Sequence, residues 1–150
     1  IDTFDALRDV SAIDIQVNDG LVDITGFNVL ETMGSLNIES NGALESITGF
    51  TALETVTRLF ISNNAALTSI AGLGKVTTVD GNLDVKSTGL SSLNELASLT
   101  TVTGDCTVEP ISLLATAPQN VRDACGFVPA PPPPVPIAAT RTGSRSSSSR

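Results

Sequence analysis

Histidine, tryptophan and tyrosine are absent from this 150-residue chain, and each absence removes a class of structure or chemistry. Without histidine there is no imidazole general base, no Ser-His-Asp arrangement and no HExxH zinc site. With five phenylalanines as the whole aromatic content, the bulk of any core must come from Leu, Ile, Val and Thr. Basic residues are scarce too, eight against sixteen acids. Three of them, Arg141, Arg145 and Arg150, fall in the last ten residues, so residues 1 to 128 carry five bases against all sixteen acids. Such a surface repels phosphates and anionic head groups, which argues against nucleic acid as a partner. No run of eighteen apolar residues occurs, so no membrane insertion is expected. Nucleotide loops of the GxxxxGK[ST] and GxGxxG kinds are missing, and no cofactor is implied. The chain opens on Ile1 with neither an initiator Met nor a signal peptide, as expected of a processed or excised fragment.

What the sequence does have is a repeat of 23 residues. Leu21, Leu44, Leu67 and Leu90 form one column, and Ile24, Ile47, Ile70 and Leu93 the next. Phe27, Phe50, Leu73 and Leu96 follow, then Leu30, Leu53, Val76 and Leu99, then Met33, Val56, Val79 and Val102. Ile1, Phe4, Leu7 and Val10 fit the same frame, which gives about five coils. A period of this length identifies a solenoid, in which no unit buries its apolar face alone and stacked neighbours form a continuous core.

Within each coil the alternation Ile13-Asp14-Ile15, Leu36-Asn37-Ile38 or Leu59-Phe60-Ile61 has the period of two expected of a strand buried on one face. Strands of successive coils then pair in parallel. In the later coils this strand starts one residue late, as Leu83-Asp84-Val85 and Cys106-Thr107-Val108, after turns around Gly81 and Gly104. A shorter following turn restores the period. Asn18, Asn41 and Asn64, with Ser87 in the fourth place, mark the turn after the strand and are expected to bond its unpaired backbone groups. Gly26, Gly49 and Gly72 are expected to mark a bend. The fold class is thus all-β, a right-handed parallel β-solenoid.

The pattern L-x-x-I-x-G-F/L-x-x-L-x-x-V, followed by L-x-I/V and usually Asn, resembles the leucine-rich-repeat-like solenoids of the receptor L-domain type. "LTSIAGLGKVTTVDGNLDV", residues 67 to 85, is the nearest match, and the resemblance covers roughly residues 1 to 110. It implies a non-catalytic extracellular or cell-surface setting, as a recognition module or a wall component.

Cys106 falls in the inward column held by Leu83 one coil earlier, and Cys125 follows in "PQNVRDACGF", a segment able to turn helically across the open end. A Cys106–Cys125 disulfide stapling this cap is the expectation; two buried free thiols are the alternative. Two cysteines without histidine make no zinc site. From Val128 the composition changes to "VPAPPPPVPIAATRTGSRSSSSR", giving a division into residues 1–127, the solenoid with its cap, and 128–150, a Pro-rich linker with a disordered Ser/Arg tail.

The outward strand face is the candidate partner surface: Asp14, Asn37, Glu39, Phe60, Ser62, Asp84 and Lys86. Phe60, read as an exposed aromatic ringed by polar groups, is its natural anchor for a protein or a glycan. Carboxylates on this face are solubilising rather than catalytic, since no apolar pocket is signalled around them. "QVNDGLVD", residues 16 to 23, has neither EF-hand spacing nor a calcium β-roll nonapeptide and reads as a turn. Two alternatives stand beside recognition. One is structural, end-to-end assembly with copies of the chain or another surface protein. The other, lesser one is ice binding along the rank Thr32, Thr55, Thr78 and Thr101.

Overall fold

A computed structural model describes residues 4, 6–8, 10–131 and 133. Ile1 of the first coil, and the tail except Val128 to Pro131 and Pro133, lie outside the described residues. The strands in chain order are β1 (Val10–Gln16), β2 (Asp23–Ile24), β3 (Thr32–Glu39), β4 (Ser46–Ile47), β5 (Thr55–Asn64), β6 (Thr78–Val79), β7 (Leu83–Thr88), β8 (Thr101–Val102) and β9 (Cys106–Val108). Seven of them form one sheet, β2 and β4 form a second, and every pairing is parallel. The five rungs β1, β3, β5, β7 and β9 bound about four turns of a right-handed parallel β-solenoid.

The register carries the repeat. Ile13 pairs with Leu36 and Leu36 with Leu59, each a step of 23 residues; Leu59 then pairs with Leu83, a step of 24, and Leu83 with Cys106, again 23. Over the same coils Thr55, Thr78 and Thr101 keep strictly to 23. The additional residue therefore sits between β6 and β7, where it breaks into two pieces the strand that β5 runs unbroken. Gly81 makes the break at φ 154°, and a β-carbon there would lie 2.5 Å from the Thr57 carbonyl oxygen. The next turn compensates, because Asn64 and Leu67 are three residues apart whereas Thr88 and Leu90 are two.

This shift corrects one expectation. Asn64 pairs with Thr88, so Thr88 and not Ser87 occupies the fourth place of the asparagine column. Ser87 instead continues Val17, Ser40 and Asn63, which take the left-handed conformation at φ 53°, 55° and 55°, Ser87 itself lying at 51°. The ladder forms as the turn chemistry requires: Asn41 and Asn64 are fully buried. Each donates its amide to a carbonyl of the preceding coil, Asn41 to Ile15 and Asn64 to Ile38, both at 2.9 Å. Each also accepts the backbone N–H of the preceding ladder residue, at 3.0 and 2.9 Å.

The glycine column has a different cause from the one its sequence suggests. Among the described glycines only Gly81 and Gly126 have positive φ; the left-handed residues at the bend are Phe27 and Phe50, at 69° and 62°. Gly49 and Gly72 are required by proximity, since a β-carbon on Gly72 would collide with the Gly49 carbonyl and one on Gly49 with that of Gly26. The rings beside this column stack, Phe4 on Phe27 at 4.8 Å and Phe27 on Phe50 at 4.9 Å, with their planes nearly parallel. In the later coils Leu73 and Leu96 take these places within short 3-10 turns.

The inward columns of the middle coils are fully buried, from Leu30 through Leu36, Ile47, Phe50 and Leu59 to Val79 and Leu83. At the C-terminal end two short helices, α1 (Ile111–Ala115) and α2 (Gln119–Ala124), lay Leu113, Leu114, Ala117 and Val121 over the last coil. Asn120 donates to the carbonyls of Ala97 and Leu99 at 2.6 and 2.7 Å, and Cys106 is joined to Cys125. The fold is thus β with a helical cap. Phe127 still packs on the core, whereas Val128 is 85% exposed. At the opposite end Phe4 remains 45% exposed on its outer side.

Candidate functional site

Parallel pairing turns the strand alternation into ranks running across the coils. On the outward side of the main sheet one rank is Asp14, Asn37, Phe60, Asp84 and Thr107, and the next is Gln16, Glu39, Ser62 and Lys86. All seven residues proposed from sequence lie on these two ranks. A third rank, Ala12, Ser35 and Arg58, borders the first on its other side and was not among them. It was within reach of the same reading, because Arg58 stands two residues before Phe60 and 23 after Ser35.

Small side chains in this third rank leave a hollow of about 350 Å³ on the face of β1, β3 and β5. Ala12 and Ser35 lie in it, Arg58 and Phe60 stand on the β5 side, and Asp14, Asn37 and Glu39 line the rest together with Ile13 and Leu36. The polar groups are partly fixed by one another. The Asp14 carboxylate accepts from Gln16 at 2.6 Å and from Asn37 at 3.0 Å. Asp14 thereby sets the orientation of the Asn37 amide, whose oxygen is buried without a partner. Among the described residues Arg58 has no ion pair, the one present being Lys86 to Asp84 at 3.2 Å.

Two proposed residues sit otherwise than expected. Ser62 is only 4% exposed and its hydroxyl has no partner. On the central strand it is flanked by the longer Glu39 and Lys86, beneath which a short side chain sinks. Phe60 is half-buried rather than exposed: the Lys86 ammonium lies 5.6 Å from its ring centroid. That cation–π contact is worth about 0.5–1 kcal/mol at such a site, and it holds the ring between Lys86 on the β7 side and the hollow on the β3 side.

The threonine rank exists as read, Thr32, Thr55, Thr78 and Thr101 being direct lateral neighbours. It is a single rank. The positions two residues on are Gly34, Thr57, Asp80 and Thr103, with Thr103 bonded to Asp80 at 3.2 Å, and Thr55 and Thr78 are half-buried. A second, shallow and open hollow of about 430 Å³ follows Ser11, Thr32, Gly34, Thr55 and Thr57.

Chemically the outward face can stack and hydrogen-bond a ligand. Among the described residues no group of three or more His, Cys, Asp or Glu side chains is placed to hold a metal ion, and no helix is long and apolar enough to cross a membrane. No family model, curated protein or solved structure matches the chain.

Proposed function

We propose that the chain is a non-catalytic recognition module of the receptor L-domain-like kind, held at a cell surface on its Pro-rich segment 128–150 and presenting its outward sheet face to a protein or glycan. The observation that carries this reading is the hollow beside Phe60, where an aromatic ring, two carboxylates, an amide, a hydroxyl and a guanidinium converge on one side of a rigid sheet. Support for the extracellular setting comes from the Cys106–Cys125 disulfide, since such bonds persist in oxidising compartments. The test is an array of glycans and surface proteins probed with the full chain and with Ala12→Gln, an exposed substitution that fills the hollow. Partners captured by both chains alike would sink the assignment of the site.

End-to-end assembly as a wall or surface-layer block is the weaker reading. α1, α2 and the disulfide close the C-terminal end of the core, so that end offers no bare coil for a second copy to stack on. Ice binding is weaker still, with one threonine rank whose neighbouring column, Gly34, Thr57, Asp80 and Thr103, is mixed.

A further inference from the structure

Resting on the reading of the sheet face as a recognition surface, we infer that the hollow beside Phe60 takes a neutral sugar ring of a glycan, with the ring against Phe60 and its hydroxyls bonded by Asp14, Glu39 and Arg58. Size sets the first bound. At about 350 Å³ the hollow lies at the small end of ligand clefts, which run from about 300 to 1,000 Å³, so it suits one or two rings rather than a folded epitope.

Charge sets the second. Asp14 and Glu39 stand against Arg58 within the hollow, and the chain as a whole is at −8. An anionic ligand would meet Arg58 but also two carboxylates and an acidic surface. A cationic one would meet the carboxylates but be repelled by Arg58 at the same hollow, whereas a hydroxyl can still use Asp14, whose two accepted hydrogen bonds both fall on Oδ1. A polyol fits both kinds of group, because its hydroxyls donate to carboxylates and accept from a guanidinium.

Geometry sets the third. The hollow lies on the face of the sheet, where backbone groups are spent on the parallel ladder. An extended peptide adding a strand would pair with the edge of the sheet at β1, not with the face on which the hollow opens. What the hollow offers is a half-buried ring, backed by Lys86 and held in place, suited to the C–H face of a sugar.

The experiment titrates the full chain, labelled with 15N, with neutral tetrasaccharides of glucose, mannose and N-acetylglucosamine, a sulfated tetrasaccharide and a lysine-rich peptide. The expected result is saturable movement of the Ser35, Asn37, Arg58 and Phe60 amides with at least one neutral saccharide. Phe60→Ala and Arg58→Gln should each weaken that binding at least tenfold, while Thr78→Ala on the neighbouring face leaves it unchanged. Ala12→Gln, at an exposed position, should abolish it with the rest of the spectrum intact, so a Phe60 variant that misfolds does not decide the matter. Movement of the same amides by the peptide or the sulfated probe alone would overturn the neutral-sugar inference and keep the recognition face. Silence of these amides to every saccharide overturns the inference. Silence to an array-identified partner as well overturns the face.

Discussion

Asn41→Ala should be among the most destabilising polar substitutions in the chain, and its cost can be worked from its bonds. The Asn41 side chain is fully buried and takes part in four hydrogen bonds: donated to the Ile15 and Glu39 carbonyls, and accepted from the backbone and the amide of Asn18. At a net of about 0.5–1.5 kcal/mol each, with the Asn18 amide free to turn to water, the loss comes to about 3 kcal/mol. That is a large share of the ~5–15 kcal/mol by which a domain is stable. Asn18→Ala is the internal control, because Asn18 is exposed at the end of the ladder and keeps its own N–H; it should cost about 1 kcal/mol or less. Asn41→Asp retains an acceptor for the Asn18 N–H but loses both donors and buries a charge, so it should be no better than alanine. With no Trp or Tyr to report fluorescence, the assay is urea unfolding by far-UV circular dichroism, comparing midpoints at constant slope. Asn18→Ala and Asn41→Ala unfolding within about 1 kcal/mol of each other would refute the claim that buried amides, rather than strand pairing alone, hold the turns.

Thr88→Asn should raise stability by about 1 kcal/mol, since position 88 pairs with Asn64 and now holds a buried hydroxyl without a partner; an unchanged urea midpoint would mean that the shortened turn to Leu90 blocks the amide. Gly72→Ala should lower the midpoint severely or prevent folding, because its β-carbon meets the Gly49 carbonyl, whereas Gly42→Ala, with nothing within 4 Å, should stay within about 1 kcal/mol of the parent. Equal stability of the two glycine variants would show that coil spacing relaxes freely. Replacing Cys106 and Cys125 together by serine opens a link between residues 19 apart and should cost about 3 kcal/mol, read as a lower melting temperature in the same buffer; no change would mean that Asn120 and the apolar contacts of α1 and α2 fasten the cap by themselves.

Much of the fold was legible because repetition over-determines it. A column such as Ile24, Ile47, Ile70 and Leu93 states four times that a position faces inward, and all four are fully buried. Even the late start of β7 could be read from Leu83 and Val85. The misassigned asparagine column shows the limit of a constant frame. Two one-residue shifts of opposite sign lie on either side of β7 and cancel at Leu90, so counting by 23 lands on Ser87 while the strand ladder lands on Thr88. The glycine column misled for a related reason: one sequence signal, a recurring Gly, has two physical causes, and here it was coil proximity, with the strained φ carried by Phe27 and Phe50.

The candidate site was less legible because alternation gives the side of a sheet, not the depth on it. Ser62 and Phe60 both point outward, yet neither stands free; Glu39 and Lys86 overhang the first and the Lys86 cation flanks the second. Depth depends on lateral neighbours, which come from other coils and differ at every rank. The inward rank of these strands reads Ile13, Leu36, Leu59, Leu83 and Cys106, nearly uniform, whereas the outward rank beside it reads Asp14, Asn37, Phe60, Asp84 and Thr107. Stacking explains the first and places no demand on the second. A sheet that needed only solubility would be served by any polar residue at position 60; the ring found there is half-buried against Lys86, and under the proposed function it also lines the room that Ala12 and Ser35 leave beside it.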